Sequence, residues 1–327
     1  MKRTTLAIAA ILLSIVFAAS AAAAPLSVLT YNLGLLRAFG SDLVPIVRER
    51  AAVAPGEIAR FATEQSPDVI VLQEVWKNSQ AKAVTKVLTP LGYEVVRPKG
   101  CTLIGKEGGL LVAVRQPLRI VSWSFTPFRK STFVDSLARK GVLATVLENS
   151  GAGGARFALL ATHTVALDTD QGTPVDEKQV AAVRTQALQI LSLLELRSPA
   201  GSLPTLLVGD FNVGPGYADA CYRIVADAPG IREAGAVAVP GEALVTWDPD
   251  NPLVHYGDYP NEPAAKIDHV FMRDGSTGQW QAVMTSVVFT QPVAGLTLVP
   301  SKGAAAVSTP LSDHYGFFAE LDLATVR

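Results

Sequence analysis

Polar side chains able to do chemistry stand at the ends of apolar runs throughout this chain. The plainest case is Thr205-Leu-Leu-Val-Gly-Asp-Phe-Asn212, a strand-like run that ends in a carboxylate, an aromatic residue and an amide. Residues of equal parity share one face of a strand, so Asp210 and Asn212 would point together. Such a pair can hold a water molecule, a metal ion or a phosphoryl oxygen. Asn32 ends the run from Leu26, Glu74 comes near the end of the run from Pro67 to Trp76, and His163 follows Arg156 to Thr162. Two further runs begin with polar residues instead. Asp268 opens the run to Met272, and Asp313 with His314 precedes Phe317 to Leu323.

These groups need strands to carry them and helices to cover the strands. The runs 205–212 and 67–76 are apolar on both parities, as expected of strands buried on both faces. Helical spacing of Ile58, Phe61 and Ala62 after Pro55 predicts a helix from that proline to Gln65, closed by Ser66-Pro67. A second helix leads into Val96 by way of Gly92. Val180, Val183, Ala187, Ile190, Leu191 and Leu194 trace one face of a long amphipathic helix. The alternation in Trp123-Ser-Phe-Thr-Pro-Phe128 predicts a strand with its aromatic residues facing the core. Residues 214–263, rich in Gly, Pro and Asp, read as loop and short helix over the rim, with Thr246-Trp-Asp-Pro-Asp-Asn-Pro252 as their most distinctive part.

With 49% hydrophobic and 17% charged residues, the 327-residue chain can build a large core. Met1-Lys-Arg3, apolar Leu6 to Ala19 and the small residues up to Ala24 predict a secretory signal over 1–24. One domain is expected over 25–327, in an extracellular or periplasmic protein. Without Lys2 and Arg3 the balance changes from 28 against 29 to 26 against 29, a net charge of −3. That charge, with no cluster of Lys and Arg, disfavours a nucleic-acid partner. Cys101 and Cys221, the two cysteines, could form a disulfide in an oxidising compartment or stay as buried thiols.

In a sheet with antiparallel pairs, a strand that ends at one rim and another that starts there bring their polar ends to the same edge. All the polar termini can therefore converge. Taken in order, Thr30-Tyr-Asn32, Leu72-Gln-Glu74, Thr162-His163, Gly209-Asp-Phe-Asn212, Lys266-Ile-Asp268 and Ser312-Asp-His314 resemble the motif set of the endonuclease/exonuclease/phosphatase superfamily. The resemblance implies a four-layered α-β-β-α sandwich, two packed mixed sheets flanked by helices, acting as an Mg²⁺-dependent phosphodiesterase or phosphomonoesterase. Ala138-Arg-Lys-Gly-Val142, Ala161-Thr-His-Thr164, Arg184 to Gln186 and Thr246-Trp-Asp-Pro are most similar to bacterial neutral sphingomyelinases.

A phosphodiester is anionic, so such a site must neutralise charge, activate water and assist the leaving oxygen. Glu74 and Asn32, with Asp313, are the expected ligands of Mg²⁺, for which Mn²⁺ or Co²⁺ would substitute. His314 is the expected general base, because its ordinary pKa of ~6.5 lets it take a proton near neutrality. Asp268 would accept its other ring N–H and raise that pKa, so activity should fall as pH drops. His163 and Asn212 would donate to phosphoryl oxygens and Asp210 would orient the water or the leaving group. Lys140 could sense phosphate charge.

Three functions compete on these residues. The first is a secreted, monomeric phosphodiesterase acting on sphingomyelin or a related choline phospholipid at a membrane surface. The second is an extracellular nuclease or phosphomonoesterase on the same site, and the third a binding protein that retains the fold. The first departs from its relatives in one respect, since Pro292-Val-Ala-Gly-Leu-Thr-Leu-Val299 lacks the aromatic pair that tips their membrane-contacting hairpin.

Overall fold

Alternation along the strands sorts the side chains into three apolar layers. A computed structural model describes residues 25–38, 40–98, 108–132, 138–152, 154–237, 244–257 and 259–325. The expected signal over 1–24 and Cys101 lie outside them. Twelve strands form two mixed six-stranded sheets. The first contains β1 (Leu26–Asn32), β2 (Val69–Gln73), β3 (Tyr93–Val96), β4 (Leu111–Arg115), β11 (Gly278–Val288) and β12 (Gly316–Thr325). Its order is β11-β12-β1-β2-β4-β3. The second contains β5 (Leu118–Pro127), β6 (Gly141–Asn149), β7 (Ala155–His163), β8 (Thr205–Asp210), β9 (Ile231–Glu233) and β10 (Asp268–Arg273), in the order β9-β10-β8-β7-β6-β5.

Each sheet is antiparallel except for one central parallel pair, β1 with β2 and β7 with β8. Val28, Val71, Leu159, Val208, Val270 and Ala319 meet between the sheets. Their strand neighbours of opposite parity face outward. Leu29, Ile70 and Leu111 pack against helices α1 (Val47–Glu64) and α2 (Asn78–Leu88). Leu160, Leu207 and Phe271 pack against α3 (Glu177–Arg197) and α4 (Asp219–Ala226). A short α5 (Pro252–His255) lies in the loop segment. Each fully buried aliphatic side chain contributes roughly 1.5–3 kcal/mol, so the layers hold each other in register. The expected four-layered architecture is therefore the observed one.

Three local expectations change. Helix α1 begins at Val47, not Pro55, and carries Pro55 in its interior. An interior proline costs about 3 kcal/mol. Burial of Val47, Arg50 and Ala54 offsets that cost, and Arg50 donates to the carbonyls of Leu33, Gly34, Pro45 and Leu311. Trp123 is 44% exposed and not buried in the core: it pairs with Thr145 on the same strand face as Phe125, but β5 is the last strand of its sheet and no further strand covers it. The rim segment carries, besides its short helices, the edge strand β9. Cys221 is buried on α4 as a free thiol. No helix among the described residues is long and apolar enough to cross a membrane.

Candidate active site

Strand parity places the site between the sheets. Along β1 the residues facing the gap are Val28, Thr30 and then Asn32; along β8 they are Leu206, Val208 and then Asp210. His163 ends β7 opposite Asp210, and Asp268 starts β10 opposite the same residue. Gly209 makes the β7–β8 approach possible, because a Cβ there would overlap the Thr162 carbonyl. Glu74 arrives differently. The strand position paired with Asn32 belongs to Gln73, which donates to Thr30 Oγ1 at 3.0 Å. Glu74 follows with φ +58, which turns the chain out of the strand. Its Oε2 accepts from Trp76 Nε1 at 3.3 Å and its Oε1 lies 4.0 Å from His163 Nε2.

The expected residues form one connected cluster. His163 Nε2 is 3.4 Å from Asp210 Oδ2, and that oxygen accepts from Asn32 Nδ2 at 2.8 Å. His314 Nε2 stands 3.8 Å from the same oxygen, and its Nδ1 is 2.9 Å from Asp268 Oδ2. Asn212 does share the site, although not by strand parity, since β8 ends at Asp210. Asn212 has φ +51, its backbone N–H donates to Asp210 Oδ1 at 2.8 Å and its side chain donates to Thr164 O at 3.0 Å. Lys140 is buried and donates to the same carbonyl at 2.8 Å. Asn32, Glu74, Lys140, His163, Asp210, Asn212, Asp313 and His314 all line one cavity of about 940 Å³.

Backbone contacts from distant segments hold these groups, and the sequence offered only faint signals for them. Thr246 Oγ1 accepts from the amides of Ile267 and Asp268, and Thr246 O accepts from Tyr315 N. Asn251 Nδ2 donates to the carbonyls of Ser312 and Asp313. The Trp247 ring meets that of His314 edge-on, with centroids 5.1 Å apart. The unusual run Thr246 to Pro252 thus braces the Asp-His pair from outside. Gly34 is equally constrained: it has φ +56, its N–H donates to Asn32 Oδ1 at 2.9 Å, and a Cβ would overlap Asp313 Oδ1. Gly34→Ala is expected to cost about 1–3 kcal/mol from backbone strain and to lower activity by displacing Asp313. Gly92→Ala shares the strain, at φ +87, but meets nothing within 4 Å. Melting temperatures and turnover of the two variants separate strain from displacement, since only Gly34→Ala should lose turnover per folded molecule.

Electrostatics divides the labour. Burial pulls the His314 pKa down, but Asp268 and Asp210 outweigh it and hold the imidazole at about 10. Burial pushes the Asp210 carboxyl up to about 7, opposed by His314 and aided by Asp268. His163 is held well below its ordinary value by burial and then by Lys140 and His314, so its ring is neutral. Glu74 is raised by burial and then by repulsion from Asp313. Among the described residues, Asp210, Asp268 and His314 form a buried group able to hold a metal ion, their ligand atoms lying within 4.8 Å of one another. The strained Glu74–Asp313 pair, with Asn32 between sheet and loop, is a second set of hard oxygen donors that a divalent cation would relieve.

The model of the endonuclease/exonuclease/phosphatase family matches residues 29–314. No protein of curated function matches. Solved structures with the same fold include sphingomyelinase C from Streptomyces griseocarneus, 24% identical, covering 90% of this chain and 99% of its own with a TM-score of 0.69. A mannosyl-6-phosphatase of Bacteroides thetaiotaomicron is 18% identical, covering 90% and 99%, with a TM-score of 0.64. D. rerio TDP2, complexed with a single-strand DNA product, is 14% identical, covering 90% and 98%, at 0.63. At these identities the likeness carries the fold and leaves the substrate open.

Proposed function

Because this chain belongs to the endonuclease/exonuclease/phosphatase family, whose members are phosphoesterases, we propose that it is a secreted, monomeric, Mg²⁺-dependent phosphodiesterase. Its substrate is sphingomyelin or a related choline phospholipid at a membrane surface, cleaved to the lipid alcohol and the phosphorylated headgroup. The observation that carries this reading is the meeting of Glu74, His163, Asp210, Asp268 and His314 within steps of 4.0 Å or less, in one cavity for all but Asp268 beneath it.

His314, once deprotonated, takes a proton from water on its Nε2 side, while Asp268 steadies the imidazolium through Nδ1. Asp210, between both histidines and Asn32, orients that water or the departing oxygen. His163 and Asn212 donate to the non-bridging oxygens, and Lys140 adds a buried positive charge beside them. Glu74, Asn32 and Asp313 would hold the cation, whose charge offsets that of the phosphoryl group.

Leu36, Leu43, Val44, Leu253 and Val254 give the same cavity an apolar wall suited to the lipid part of the substrate. The hairpin of Thr297–Leu298 with Val307–Ser308 offers no aromatic residue at its tip. Tyr256 and Tyr259, exposed in the loop that lines the cavity, supply the aromatic contact with the membrane in its place. The test is to incubate the protein in parallel with sphingomyelin and phosphatidylcholine vesicles, DNA and a sugar phosphate, with Mg²⁺ and with chelator, and to identify the products. Mg²⁺-dependent release of phosphorylcholine is expected; turnover confined to DNA or the monoester would overturn the lipid reading.

A further inference from the structure

Behind the catalytic floor lies a second, largely buried set of polar and charged groups that lines no part of the cavity. Glu233, the last residue of β9, accepts three hydrogen bonds: Oε1 from His269 Nδ1 at 2.6 Å and from Lys266 Nζ, Oε2 from the Tyr222 hydroxyl at 2.6 Å. His269 Nε2 faces the Val213 carbonyl at 2.8 Å. Both partners of this ring are acceptors, so both ring nitrogens donate. Lys266 in turn lies 4.3 Å over the Phe317 ring.

The points these contacts reach are not arbitrary. Val213 directly follows Asn212, Lys266 and His269 flank Asp268, and Phe317 stands three residues after His314. We infer that Glu233 is a positioning residue: through His269 it fixes the turn that aims Asn212, and through Lys266 and His269 it fixes the start of β10 and hence the Asp268–His314 pair. The turnover part of this inference rests on the phosphoesterase reading above. Three satisfied donors on one carboxylate make the network rigid, and burial makes it costly to break singly. A site that needs its donors within fractions of an ångström gains from such backing.

The network is tested with Glu233→Ala, Glu233→Gln and His269→Ala, read by melting temperature, steady-state kinetics and ¹⁵N NMR. Turnover per folded molecule should fall about tenfold in Glu233→Ala with KM nearly unchanged. Glu233→Gln keeps a carbonyl oxygen for His269 and should retain more. The side-chain amide signal of Asn212 and the ring signals of His314 should shift in Glu233→Ala and in His269→Ala. If only the melting temperature falls while those signals and turnover stay as in the parent, the network is structural support alone and the inference fails. If the parent protein turns over no phosphoester but the signals still move, the phosphoesterase reading fails and the positioning network stands.

Discussion

His314→Ala is expected to lower turnover by at least about 10²-fold, the usual scale of general acid-base assistance. The geometry ties this loss to one atom. Nδ1 is engaged by Asp268 at 2.9 Å, so Nε2, 3.8 Å from Asp210 Oδ2, is the nitrogen left to meet water. The variant should also lose stability, because His314 is buried and its removal strips Asp268 Oδ2 of its partner beside an Oδ1 that already has none. A loss of about 1–3 kcal/mol follows from such an unsatisfied buried acceptor. Turnover must therefore be measured well below the melting transition.

The same pair sets the pH profile. The base acts only when deprotonated, and Asp268 with Asp210 favours the protonated ring, holding it at about 10. Turnover should therefore rise with pH through a limb above the ordinary histidine value of ~6.5. Asp268→Asn weakens that hold and should move the limb toward lower pH while lowering the plateau, since the imidazolium loses its stabilising charge. A limb that stays put in Asp268→Asn would mean that another group titrates.

Residues whose place follows from strand alternation were legible in the sequence; residues placed by leaving a strand were not. Asn32, His163, Asp210 and Asp268 sit where parity and the antiparallel pairing put them. Parity failed for Asn212, which reaches the site through a turn with φ +51, and would have chosen Gln73 over Glu74. The motif likeness selected Glu74, which does line the cavity, because it compares residues and not backbone angles. Thr246, Asn251 and Arg50 went unassigned for a different reason. Their work is done largely on backbone carbonyls and amides distant in the chain, and a backbone group leaves no mark in the sequence. Nothing in the run Lys266 to His269 foretold that Glu233 would gather two of those side chains.

Glu74→Gln should raise the Mg²⁺ concentration needed for half-maximal activity by an order of magnitude or more, on the scale of roughly 10–100-fold seen when even outer-shell partners of a metal are lost. The largely buried Glu74 carboxylate and the buried Asp313 carboxylate repel each other, with burial the larger cause of the rise in Glu74. A neutral amide removes both penalties. The metal-free variant should thus melt no lower than its parent, while the gain in melting temperature on adding Mg²⁺, which reports binding to the native state alone, should shrink. Those two shifts have opposite consequences for the ion's position. If Glu74→Gln keeps the full Mg²⁺-dependent gain and Asp210→Asn loses it, the cation belongs to the Asp210–Asp268–His314 group. His314 would then be a ligand and could not also be the base, so this titration decides the metal's seat and the identity of the proton acceptor together.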